Sequence, residues 1–150
     1  MIPVTVKPKK NSIKARQRAR RFAMQAIYQW HLTQQTFSEL EKQFLAQEEM
    51  VSVDVDYFRL LVKQVIFYQV ALDEQLKNFL DRPVQSLDFV ELAILRMAAY
   101  ELTYQAELPY KIILNEAIEL AKCFGATDGH KYVNGILHPL ARKLRPLECI

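Results

Sequence analysis

Apolar residues recur every three or four positions through most of this chain, the spacing that holds side chains on one face of an α-helix. Ala15, Ala19, Phe22, Ala26 and Trp30 form the first such stripe, and Asn11 or Ser12 can cap it, which predicts a helix to about His31. A short second helix fits residues 36–46, with Phe37, Leu40 and Phe44 inward. A third, capped by Ser52 or Asp54, starts near Val55 and carries Phe58, Leu61, Val65, Tyr68 and Leu72, then continues or restarts over about residues 73–80. Arg82-Pro83 stops it, because a residue before proline disfavours the helical region. Two subdomains, about 12–83 and 84–146, are expected to meet there and share an interface.

Ser86 or Asp88 begins a fourth helix, LDFVELAILRMAAYELTY, which is apolar nearly all round and so is either central or faces a partner. Asp88, Glu91 and Glu101 fall loosely on one arc among Leu95, Ala98 and Leu102, and Arg96 points away. That mixture suits a protein-binding face, and it fits rather better a helix half covered by its own subdomain. Pro109 starts a fifth helix with the stripe Ile113, Ala117, Leu120 and Phe124, and Gly125 ends it as a C′ residue. Thr127 or Asp128 caps a sixth through Tyr132, Val133, Ile136, Leu137, Leu140 and Leu144. Pro139 lies inside that pattern and predicts a kink near His138. The expectation is an all-α protein of about six helices in one domain, residues 12–146, between a basic tail (1–11) and a short C-terminal tail (147–150).

Composition agrees with this picture. The 150 residues are half apolar and a quarter charged, enough for a buried core, and three Gly with six Pro are too few for an all-β chain of many tight turns. No secretory h-region opens the chain, and no apolar run approaches the roughly 18 residues of a membrane span. Cys123 and Cys149 are far apart in sequence and read as reduced thiols of a cytoplasmic protein.

Charge changes the picture more. Residues 7–21, KPKKNSIKARQRARR, hold eight of the twenty Lys and Arg, and no acidic residue precedes Glu39. Residues 32–128 carry eight basic against sixteen acidic groups, so the net +3 conceals a cationic start and an anionic body. Such asymmetry speaks of partners. On the first helix Lys14, Gln17, Arg21 and Tyr28 share a stripe away from the apolar face, while Arg16 and Arg20 lie on a flank of their own. An aromatic within a basic stripe can stack on a nucleobase while the cations meet phosphates, or it can pack on a neighbouring helix. The segment GATDGHKY at 125–132 places Thr127, Asp128, His130 and Lys131 before an aromatic at a helix start, where free N–H groups favour anions; it also reads as an ordinary capped turn.

Catalytic chemistry is thin. His31, His130 and His138 have no zinc-ligand spacing, Gly125, Gly129 and Gly135 make no phosphate-binding pattern, and no G-x-S-x-G elbow exists. Glu116 and Glu119 could pair as carboxylates, a spacing common on solvated helix faces. No metal, no cofactor and no enzymatic activity are expected.

Three segments together resemble the transcription antitermination factor NusB family: KARQRARRFAMQAIYQW at 14–30, LDFVELAILRMAAYELTY at 87–104, and PYKIILNEAIELAKCFGATDGHKYVNGIL at 109–137. The last is the most specific, with N-E-A-x-E-L-A-K, F-G and K-[FY]-V-N-G-[IV]-L in order, and with the intervening spacing the likeness covers about residues 14–145. The resemblance implies two packed helical bundles and no catalysis. It implies binding of the boxA element of nascent, usually ribosomal, RNA together with NusE, a small-subunit ribosomal protein. The complex would join RNA polymerase and other Nus factors to suppress premature termination. Carried over by motif, Arg16, Arg18, Arg20, Arg21, Tyr28, Asp128, Lys131 and Tyr132 would form the RNA surface, and Glu91 would contact NusE. Tyr132 stands where many relatives have Phe, and His138-Pro139 replaces a common Asp-Lys, which bears on the last helix. Two further readings remain beside it: an accessory RNA-binding module for ribosomal RNA processing or modification, acting beside a separate enzyme because no Gly-rich cofactor segment occurs here, and a basic membrane-surface or protein-docking helix.

Overall fold

The computed structural model describes residues 12–149, so Lys7, Lys9, Lys10 and the possible cap Asn11 lie outside the described residues. Seven helices follow in order: α1 (Ser12–Thr33), α2 (Phe37–Leu45), α3 (Val55–Phe67), α4 (Gln69–Lys77), α5 (Phe89–Tyr104), α6 (Tyr110–Phe124) and α7 (Gly129–Leu144). Single 3₁₀ turns occur at Glu48–Ser52 and Val84–Ser86, and there is no strand among the described residues.

Local chemistry sets the helix starts. Thr36 and Glu39 form a capping box at α2, each side chain accepting from the other's backbone N–H. Asp54 accepts from Tyr57 N at 3.2 Å to start α3, and Asp88 Oδ1 accepts from Val90 N and Glu91 N at 2.9 and 3.1 Å to start α5. Pro109 precedes α6, where its missing N–H costs nothing. The seventh helix arises because the expected restart comes early: α3 ends at Phe67, Tyr68 is the single hinge residue, and α4 begins at Gln69.

Helix α5 is the centre of the molecule. Every residue from Glu91 to Leu102 is buried, because α1, α3, α4, α6 and α7 all pack against this helix. Its carboxylates, Glu91 and Glu101, are therefore covered by the chain itself. The packing partners change at Tyr68, ahead of Pro83: α1, α2 and α3 pack together, while α4 lies chiefly on α5. Leu72 and Leu76 supply the buried side of α4, and Arg96 of α5 makes a two-pronged ion pair with Asp73 at 2.8 and 2.9 Å. The Arg96 guanidinium also meets His31 Nδ1 at 3.1 Å and lies 6.0 Å from the Trp30 ring, tying in the end of α1.

Two of the four arginines of α1 are interior. Arg20 is 4% exposed and holds Glu101, itself 2% exposed, through Nε and Nη2 at 3.0 and 2.9 Å. The Tyr57 hydroxyl donates to the same Glu101 oxygen. Burial alone would lower the Arg20 pKa, but the adjacent carboxylate outweighs it and the group ends above its ordinary value. Burial, then the Glu101 charge, drive the Tyr57 phenol well above its usual range. One turn earlier, Arg16 lies 4.0 Å over the Tyr57 ring and 3.8 Å from Asp54.

At the far end, α7 runs unbroken through Pro139. The carbonyl that Pro139 cannot serve is that of Gly135, which is exposed and open to water. Beyond α7, Arg145 donates to the carbonyls of Leu102, Gln105 and Leu108 at 2.7–2.9 Å and closes the α5–α6 turn.

Replacing Glu101 with Ala would leave the Arg20 charge buried and the Tyr57 hydroxyl without an acceptor. Urea unfolding of Glu101→Ala is expected to show a loss of about 3–5 kcal/mol.

Candidate nucleic-acid interface

The outward stripe of α1 carries the usable cations. Lys14 and Arg21 are exposed, and half-buried Arg18 reaches the Ser52 carbonyl at 3.4 Å. Arg16 and Arg20, grouped with them by resemblance, are withdrawn from this surface. Their flank faces α3 and α5, and their guanidinium groups are held by Asp54 and Glu101. Lys14, Arg18 and Arg21 form one wall of a groove of about 480 Å³ whose other wall is α6, with Glu116, Glu119 and Cys123. Gln17 bridges the walls by donating to Glu116 at 2.9 Å.

Tyr28 continues the stripe two turns on. It is half-buried and lines a second cavity of about 530 Å³ with Met24, Leu32, Phe44, Val90 and Phe124. Phe124 lines both cavities. The sequence pattern assigns Phe124 to the core stripe of its helix, but at 40% exposure it faces out. The inward stripe ends with Leu120 and Ala121, and α6 stops before another turn could cover the ring.

The chain then turns without the left-handed glycine expected at a C′ position. Gly125 is extended (φ −82°, ψ 173°), and its need is close packing, since a Cβ there would lie 2.7 Å from the Ala121 carbonyl oxygen. The left-handed residue is Asp128, at φ 64°, ψ 7°, a region aspartate visits more readily than most residues. Asp128 does not cap α7 with its side chain; the carboxylate pairs with Lys131 at 3.3 Å, and both groups are exposed.

Glu91 supports this loop from below. It is 7% exposed, accepts from the Ala126 N–H, and its Oε2 lies 2.4 Å from where a Cβ on Gly129 would be. Any larger residue at 129 must displace the carboxylate. Burial and the neighbouring Asp88 charge raise the Glu91 pKa, with the Ala126 N–H and Arg82 opposing them. The position that resemblance assigns to NusE is thus enclosed by the chain's own loop, with its carboxylate turned inward to the turn it supports.

Tyr132 stands one helical turn past Asp128, half-buried, its hydroxyl donating to Asp81 Oδ1 at 3.2 Å. Arg82 lies over the ring, 4.8 Å from its centre, and grips Asp81 through Nε and Nη2 at 2.9 and 3.3 Å. Burial and the Asp81 charge raise the Tyr132 phenol, while the Arg82 hydrogen bond lowers the Asp81 carboxyl. Sequence patterning treats Arg82 only as part of a helix stop; nothing local links it to a tyrosine fifty residues on.

The two halves meet through α5. Val90 lines the Tyr28 cavity, and adjacent Glu91 lies under Gly129. The Lys14–Arg21 groove and the Tyr28 cavity share Phe124, and the chain leads from Phe124 straight into the turn that carries Asp128, Lys131 and Tyr132. Among the described residues no His, Cys, Asp and Glu cluster is placed to hold a metal ion, and no helix is long and apolar enough to cross a membrane.

Comparison with known proteins bears on this face. The NusB family matches residues 17–142. The transcription antitermination protein NusB of Idiomarina loihiensis is 52% identical over 132 residues, 88% of this chain and 95% of the relative. That of Pseudomonas entomophila is 46% identical over 142 residues, 95% and 84% of the two chains. Among solved structures, T. maritima NusB superposes with a TM-score of 0.76 at 24% identity, covering 91% of this chain and 94% of the other. A crystal structure of the antitermination factors NusB and NusE in complex with dsRNA gives the same TM-score at 21% identity, covering 87% and 98%. At those identities the structures establish the shared helical fold, and the family match with the closer sequences establishes kinship: the chain belongs to the NusB family.

Proposed function

We propose that this protein is a transcription antitermination factor that binds the boxA element of nascent ribosomal RNA together with NusE. In this reading it acts with RNA polymerase and the other Nus factors to suppress premature termination, and it catalyses no reaction. The observation that carries the reading is the placing of exposed and half-exposed cations beside exposed and half-exposed aromatics along α1, the end of α6 and the start of α7. Lys14, Arg18, Arg21 and Lys131 meet backbone phosphates, while Tyr28, Phe124 and Tyr132 offer rings on which unstacked bases can lie. Glu116, Glu119 and Asp128 oppose phosphates on the same face and so restrict the path a strand can take. Arg16 and Arg20 serve this surface indirectly, by fixing the rotation of α1. Glu91 serves it by holding the loop, and any influence on NusE would pass through that loop. The relatives' name and the NusB–NusE–dsRNA neighbour support the choice of partners.

Titration of boxA and scrambled single-stranded RNA, with and without NusE, tests the reading. Binding is expected to favour boxA and to weaken with salt at about −0.7 in log–log slope per neutralised phosphate. Equal affinity for the two RNAs in both settings would overturn it. Arg21→Ala should weaken both RNAs and flatten the slope at unchanged melting temperature, whereas Arg20→Ala should chiefly lower the melting temperature. Tyr132→Ala should erode discrimination between the RNAs, a stacked base being worth roughly 1–3 kcal/mol.

The loop makes a separate prediction. Gly129→Ala pushes on the Glu91 carboxylate, and calorimetric or denaturant unfolding should show a loss of about 1–3 kcal/mol with weakened RNA binding. Glu91→Ala, in the same background, should recover part of the stability loss through non-additivity.

A further inference from the structure

The Asp81–Arg82–Tyr132 cluster stands apart from the basic stripe of α1 and comes from a different part of the chain. Asp81 and Arg82 lie in the connection between α4 and α5, and Tyr132 lies in the first turn of α7. Adjacent charged residues on a surface are usually solvated and contribute little. Here three contacts close a ring between two segments: the guanidinium fork on Asp81, the guanidinium over the Tyr132 ring, and the Tyr132 hydroxyl on Asp81. The side chains of Arg82 and Asp81 are 48% and 67% exposed, so the cluster is open to a ligand.

The geometry points to Arg82 as a further RNA-binding residue, held ready over Tyr132 by Asp81, which occupies the place of an RNA phosphate until RNA arrives. The inference rests on the RNA reading above. An arginine fork fits a carboxylate and a phosphate in the same two-pronged way. A tyrosine face accepts a guanidinium or a nucleobase. A nucleotide of single-stranded RNA brings both replacements at once: its phosphate takes over the fork from Asp81, and its base takes over the ring from the guanidinium. The fork and the ring each gain a contact of the same kind, and the Asp81 carboxylate that gives up Arg82 is left to solvent at an exposed position. A simple anion replaces only the carboxylate, and the ring contact still favours the closed arrangement. Asp81 therefore weakens binding of every RNA, while its pairing with Arg82 disfavours ligands that lack a suitably placed base.

The other charged groups near the cluster suit this exchange. Glu91 acts on both Arg82 and Tyr132 from beneath but is enclosed by the loop, and Lys131, adjacent to Tyr132, pairs with Asp128 and not with Asp81. Arg82 is thus the cation over the Tyr132 face, and its release adds one phosphate contact to those of α1.

Salt-dependent anisotropy titrations of the full chain with NusE, using fluorescent boxA and scrambled single-stranded RNA, test the proposal. Arg82→Gln is expected to make the log–log salt slope shallower by about 0.7 and to lower boxA affinity about five-fold at 0.1 M salt. Arg82→Lys should keep the slope, because the charge remains, but lose part of the boxA preference. Asp81→Asn should raise affinity for both RNAs several-fold in the natural background, with a smaller gain in the Arg82→Gln background. Melting temperatures should stay unchanged, as befits exposed side chains. Retention of the natural slope and affinity by Arg82→Gln would overturn the proposal, as would tighter binding, which would make Arg82 only a cover for the ring. Failure of the unaltered protein to prefer boxA would be a different result: the RNA reading itself would fall, and this inference with it.

Discussion

A carboxylate enclosed where three helices meet governs the arrangement of this molecule. Glu101 of α5 binds Arg20 of α1 and Tyr57 of α3, and all three side chains are nearly or wholly out of solvent. Three of the buried apolar residues of α1, Ala19, Ala23 and Ala26, are small and by themselves fix its rotation less sharply than Phe22, Met24 and Ile27 do. A buried ion pair does not tolerate rotation of the helix, because the charges must stay in register with their partners. Arg16, one turn away over Tyr57, adds a second point on the same line. With the rotation of α1 set in this way, Lys14, Arg18, Arg21 and Tyr28 point to one side and together make a surface.

The same central helix sets the other half of that surface. Glu91, near the start of α5, supports the loop before α7, so the end of α5 nearest the loop does for Asp128 and Tyr132 what Glu101 does for α1. Both halves of the proposed RNA face are referenced to one helix that is almost entirely inaccessible. Their separation is then as rigid as α5 itself, which suits recognition of a strand with fixed phosphate spacing. The left-handed Asp128 marks where the loop departs from the easiest backbone path to reach this geometry.

Much of this was legible in the sequence, for reasons of range. Helix positions follow from local spacing and local capping, and Thr36, Asp54, Asp88 and Pro109 stand where such signals place them. The separation of Arg16 and Arg20 from Lys14, Gln17, Arg21 and Tyr28 follows from 100° per residue alone. What those two arginines face does not, because Asp54 and Glu101 are 38 and 81 residues away from them. Family resemblance, which carries motif positions without burial, placed all four arginines on one surface and gave Glu91 to a partner. Phe124 escaped because a stripe extrapolated to the last helical residue ignores where neighbouring helices end. The seat of α4 on α5 includes the Arg96–Asp73 pair, a contact that no local pattern announces.

The junction of α1, α4 and α5 has a practical consequence through Trp30. It is the only tryptophan in the chain, half-buried, with the Arg96 guanidinium 6.0 Å from its ring and the Arg96–Asp73 pair behind it. Neither of the two cavities along the proposed RNA face is lined by it. Tryptophan emission from this protein is therefore a built-in gauge of how α4 and α5 are seated against the end of α1, separate from the tyrosines of the RNA face. Excited selectively, the molecule carries its own optical reporter of the joint between its helical groups.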